Sequence, residues 1–235
     1  MKIILVAIVF FVSLNALTFN PLAGAPAMNV DPSVKDYKKT KEVFSYEEMI
    51  SYMKLSGDKH KIMVLGVLYS KDSKDPDDLG VYIKADPILA KKYFIEAYDM
   101  GKKESLIILI GLILYNDNMA TLDKDLSLSK KYMLQAVKDE TEGAIFMLGT
   151  VELLRGEYKE GIQHTVEAAE NGDPLAQLKA AIIFQKGIYS EESKTMVVES
   201  NYPLAGYFLN KACTNPIKEK EVTEFCSSDL ILQKN

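Results

Sequence analysis

The sequence predicts an all-α chain arranged as an α-solenoid of antiparallel helix pairs. Two observations carry this. Small residues recur seven apart along the chain, with bulky pairs between them, and helix stop and start signals fall at matching intervals. Composition agrees. The 235 residues are 48% apolar, with 28 basic against 33 acidic side chains, too apolar and too evenly charged for a disordered chain. The length allows one or two ordinary domains with ample core. No long block of like charge occurs, and Arg155 is the single arginine, so a clustered cationic face for nucleic acid has no support.

Residues 1–27 have the pattern of a signal peptide. Lys2 supplies the positive start, Ile3 to Val12 the apolar stretch, and Ala23, Gly24, Ala25 and Ala27 the small residues of two overlapping A-x-A sites. Pro26 would follow a cut after Ala25, which favours cleavage after Ala27. Removing Lys2 and no acid shifts the net charge from −5 to −6. Export to the periplasm is expected, with secretion as the alternative. Residues 28–41 read as a polar linker. The run Leu106 to Tyr115 is about half the roughly 20 residues a membrane span needs, so it predicts a buried helix and no span after signal removal.

Four first helices are marked by Leu65-Gly66, Ile110-Gly111, Leu148-Gly149 and Ala180-Ala181; the Gly or Ala advances by 45, 38 and 32 residues. Each is followed by a second helix. These carry Ala90, Tyr93-Phe94 and Ala97; Ser129, Tyr132-Met133 and Ala136; Gly161, His164-Thr165 and Ala168-Ala169; and Ala205, Phe208-Leu209 and Ala212. Tyr46, Met49-Ile50, Met53 and Gly57 look like a second helix without its partner. Small residues seven apart let helix backbones approach, and the bulky pair fills the groove beside them. Gly57, Gly101 and Gly172 suit left-handed C-terminal caps, while Asp86, Asp125 and Asn201 stand where N-caps belong.

These residues resemble the Sel-1-like repeat family, relatives of the tetratricopeptide repeat. Its pattern is A-x3-L-G-x2-Y-x2-G, then G-V-x-x-D-x3-A-x2-W/Y-Y-x2-A-A-x2-G. Gly80-Val81, Asp86, Ala90, Tyr93-Phe94, Ala97 and Gly101 follow the second half, as do His164-Thr165, Ala168-Ala169 and Gly172. The resemblance covers residues 42–216 and implies a right-handed solenoid of about four repeats plus an N-terminal half repeat. Departures are Glu152 in a tyrosine slot, a third loop cut to residues 156–158, and a fourth enlarged over residues 187–200.

Cys213 and Cys226 are the two cysteines. In an exported chain they are most simply a disulfide worth about 3 kcal/mol, tying a C-terminal capping helix (Lys218 to Leu232, within residues 217–235) to the stack. A catalytic or metal-binding pair is disfavoured because no C-x-x-C spacing or neighbouring histidine accompanies them.

Chemistry is otherwise hard to find. His60 and His164 lie in different repeats, and His164 fills an aromatic slot, where a packed role is expected. Asp75, Asp77, Gly80 and Asp86 fit parts of a calcium loop, but Pro76 and Leu79 interrupt it. Ser51-x-x-Lys54 and Ser127-x-x-Lys130 match S-x-x-K without the accompanying S-D-N and K-T-G motifs. The expectation is therefore a protein that is not an enzyme and holds neither cofactor nor metal.

The side of each first helix opposite the repeat positions is also apolar. It carries Met63 and Val67; Ile108, Leu112 and Tyr115; Phe146, Thr150 and Leu153; then Ile182 and Gln185. This strip is either core beneath neighbouring second helices or a concave docking surface for a protein partner, with Tyr115 as the foremost contact. The resemblance implies a binding module. Family members of this size occur as periplasmic immunity proteins beside type VI secretion effectors, lipases among them. A general envelope or host-directed scaffold and a penicillin-binding or weakly hydrolytic protein are the alternatives.

Overall fold

A computed structural model of the chain describes residues 46–72, 83–190, 193–217 and 219–227. The segments read as signal peptide and linker, and the possible calcium ligands Asp75, Asp77 and Gly80, lie outside them. Eleven helices are described: α1 (Tyr46–Leu55), α2 (Lys59–Ser70), α3 (Pro87–Asp99), α4 (Ser105–Tyr115), α5 (Asp117–Ala120), α6 (Ser127–Lys138), α7 (Ala144–Arg155), α8 (Tyr158–Glu170), α9 (Pro174–Lys186), α10 (Tyr202–Thr214) and α11 (Lys220–Ser227). Short strands β1 (Ile188–Ser190) and β2 (Thr195–Val198) form an antiparallel hairpin between α9 and α10. The all-helical expectation is corrected to that extent, because the enlarged fourth loop folds on itself as strands.

Packing follows chain order. First helices α2, α4, α7 and α9 pack on second helices α3, α6, α8 and α10 respectively, and α3, α6 and α8 pack on the first helix of the next pair. Helix α1 packs on α2. The glycine spacing sets how closely these helices meet. A Cβ on Gly149 would lie 2.8 Å from the Gly161 carbonyl oxygen, and one on Gly161 would lie 2.8 Å from the Leu153 nitrogen. Backbone therefore meets backbone between α7 and α8. Gly66 instead makes room for the Phe94 ring, which a Cβ would meet at 2.9 Å.

Helix ends show where local chemistry acts. Asp86 accepts from the Leu89 amide (2.9 Å) and Asn201 from that of Leu204 (3.1 Å). Asp125 does not cap α6 in that way, which is a correction. Leu126 takes a left-handed conformation (φ 58°) and turns the chain, so Asp123, two residues earlier, accepts from the Leu128 and Ser129 amides. Gly101 and Gly172 have φ of 87° and 97°, but the comparable place after α6 belongs to Glu140 at φ 54°.

Three apolar clusters follow the chain. The largest runs from α1 to α7 on bulky side chains such as Leu65, Phe94, Leu109, Ile113 and Met133. The second, from α7 to α10, is mainly alanine beside Phe146 and Phe208, and the third joins Leu178, Ala212 and Val222 beneath α11. Cys213 on α10 and Cys226 on α11 form a disulfide, as their spacing predicts. Among the described residues no cysteine is free, and no helix is long and apolar enough to cross a membrane.

Candidate functional site

The apolar strip on the first helices divides into two sets. Met63, Leu112, Phe146 and Thr150 are buried. Met63 and Leu112 join the largest cluster, Phe146 the second, and the Thr150 hydroxyl donates to the Phe146 carbonyl (3.0 Å). For these four the docking expectation is corrected: in an apolar stripe flanked by helices on both sides, side chains near its centre become core. Val67, Ile108, Tyr115, Leu153, Ile182 and Gln185 are half-buried and retain an accessible edge. Burial pushes the Tyr115 hydroxyl up to about 12, so this ring is set into the protein, and a charge placed there would disturb folding as well as any contact.

The glutamate in the tyrosine slot organises a polar cluster where α6, α7 and α8 meet. Glu152 is 2% exposed and accepts from Lys130 Nζ on α6 (3.2 Å), while His164 Nδ1 on α8 lies 2.6 Å from its other oxygen. A lone buried carboxylate is costly, so the lysine and histidine are what make this position tolerable. Lys130 also pairs with Glu157, which in turn accepts from Arg155 Nε (2.9 Å). Arg155 reaches back to the Asp125 carbonyl (2.7 Å) and the Ser127 hydroxyl (3.1 Å). His164 is half-buried in its slot, with Glu152 as its partner.

That network also answers the S-x-x-K motif. Hydrogen bonds from Lys130 to Glu157 and Glu152 push its ammonium up, which favours its charged form. Ser127 Oγ donates to Asp125 (2.9 Å) while accepting from Arg155. Neither Ser51 nor Lys54 offers a better pair, since Lys54 sits 5.8 Å over the Tyr93 ring. Among the described residues no group of three or more His, Cys, Asp or Glu side chains is placed to hold a metal, and Asp86 is committed to its helix cap.

Two concavities lie beyond the strip. One, about 490 Å³, is a shallow groove along α6 bounded by Lys131, Leu134, Lys138 and Arg155. The other, about 560 Å³, lies between the turns that precede α7 and α9, and Ile217 and Glu219 close one side. Both are within the size range of ligand sites, about 300–1,000 Å³. Neither was foreseen; the walls of the second come from turns far apart in the chain. No protein-family model matches this chain, and no curated protein matches it.

Proposed function

We propose that the chain is an exported binding module, a right-handed α-solenoid of Sel-1-like repeats that occludes a protein partner. Its use is as a periplasmic immunity protein against a toxin such as a type VI secretion effector, a lipase among the candidates. The observation that carries this is the succession of helix pairs, each packing on the next, which sets half-buried side chains, apolar from Val67 to Ile182, on successive first helices. The Cys213–Cys226 disulfide supports an oxidising compartment, and net charge −5 over the full chain favours a basic partner.

The test is neutralisation. The full chain is expressed in bacteria that also export the toxin encoded beside it, and growth is followed while complex formation is measured by light scattering. Restored growth with a defined complex is expected. Loss of growth despite good expression of the chain would overturn the immunity assignment. Nitrocefin turnover abolished by Ser127→Ala would favour the hydrolytic alternative instead.

A further inference from the structure

Along one edge of the row, each turn that follows a second helix faces the next such turn, and the first two junctions are bridged by lysine. Lys59 Nζ donates to the Gly101 carbonyl (3.4 Å), and Lys103 Nζ donates to the Asp139 carbonyl (2.9 Å). At the third junction, between residues 140–143 and 171–174, the turn carries Glu142 and no lysine. No side-chain hydrogen bond crosses this junction among the described residues, and here the 560 Å³ cleft opens.

The lining of the cleft is one-sided. Val137, Ile145, Phe146 and Leu175 make an apolar floor, and Glu140, Glu142, Asp173 and Glu219 are its charged residues, with no lysine or arginine among the described lining. Thr141 Oγ1, also in the lining, is buried and has no hydrogen-bond partner. Burial pushes the Asp173 carboxyl up, and the like charges of Glu219 and Glu142 push it further. Acidic residues therefore gather around an apolar pocket at the one junction of four that no side chain bridges among the described residues, the fourth being closed by Asn215 Nδ2 donating to the Gly172 carbonyl (2.9 Å).

We propose that this cleft receives a lysine or arginine side chain of the partner protein, its ammonium or guanidinium among Glu142, Asp173 and Glu219 and an apolar neighbour on the Phe146 floor. The incoming cation takes the place that Lys59 and Lys103 fill at the earlier junctions. Its alkyl stem suits the floor, and the carboxylates around it are acceptors for its N–H groups. The assignment rests on the binding-module function above and gives it a point of contact away from the first-helix strip.

The experiment is an NMR titration of the full chain with the blocked peptide acetyl-Leu-Lys-Leu-amide, its norleucine analogue and spermidine. The lysine peptide is expected to give saturable shifts of the Thr141, Glu142, Gly143, Gly172 and Asp173 amides, with the norleucine analogue at least about tenfold weaker. Glu142→Lys, which supplies the missing bridge from within the chain, should abolish those shifts while the helical circular dichroism and melting curve are retained. Equal response to norleucine, shifts elsewhere, or binding unaffected by Glu142→Lys would overturn the proposal. Tighter saturation by spermidine than by the peptide would assign the cleft to a free polycation and overturn it as well. Toxin neutralisation that survives Glu142→Lys would remove the cleft while leaving the binding module in place.

Discussion

The two halves of the row are held together by different means. From α1 to α7 bulky side chains interlock, Phe94 filling the space that Gly66 leaves and Tyr69 stacking on Tyr93 with ring centroids 5.8 Å apart. From α7 to α11 the buried side chains are mostly alanine, the α7 and α8 backbones touch at Gly149 and Gly161, and a disulfide ties down the last helix. The first half depends on volume filled, the second on volume withheld. One should suffer most from truncation, the other from a single added methyl.

Phe94→Ala tests the first statement and should have the largest effect, a loss of about 4 kcal/mol. The thermal midpoint should fall by about 8–16 °C, and a fall of a degree or two would mean that the ring is not a keystone. Next, Cys213→Ser with Cys226→Ser should cost about 3 kcal/mol. Hydrogen exchange should quicken in α10 and α11 and remain unchanged in α2 to α4; uniform acceleration would contradict a local staple. Gly161→Ala should cost about 2–3 kcal/mol because the clash is with backbone, whereas Gly206→Ala, with nothing within 4 Å, should stabilise by about 1 kcal/mol. Equal responses of the two glycines in denaturant melts would refute the close approach.

Two smaller effects sharpen the contrast. Tyr115 has its hydroxyl raised from 10.0 to about 12, so its folded form holds the proton that an unfolded chain releases. Its contribution is complete below pH 10 and is lost as pH climbs through 12, up to about 2–3 kcal/mol. Tyr115→Phe should remove that part of the alkaline loss, and parallel stability curves for the two proteins would sink the claim. Glu140→Gly relieves a left-handed residue at the cost of a more flexible unfolded chain, for a net gain of about 0.5 kcal/mol in calorimetry. A clear loss would show that its side chain stabilises the turn.

Much of this organisation was legible in the chain, because helix pairing is written in local spacing. Gly149 and Gly161 marked a close contact, Asp86 and Asn201 marked helix starts, and the cysteine spacing matched the observed bond. What escaped was whatever depends on partners distant in sequence or on one unusual torsion. Leu126 moved the cap from Asp125 to Asp123, and the strand-forming run Thr195 to Val198 folded back on Ile188 to Ser190. The Glu152 network needed Lys130 and His164 from two other helices. The signal most open to discovery was the absence of lysine from residues 139–143, where the two earlier junctions have Lys59 and Lys103.

The β1–β2 hairpin enters and leaves the row at nearly one point. Asn201 N–H donates to the Phe184 carbonyl (2.6 Å), so the chain resumes beside the place where α9 ends, and α9 still packs on α10. The excursion is a side branch, not a spacer. Tyr189, Met196 and Val197 stand 51%, 41% and 43% exposed on it without contributing to the clusters beneath. Such a branch can be trimmed, lengthened or exchanged for a foreign recognition loop while the rods behind it stay in place, making it a natural graft point.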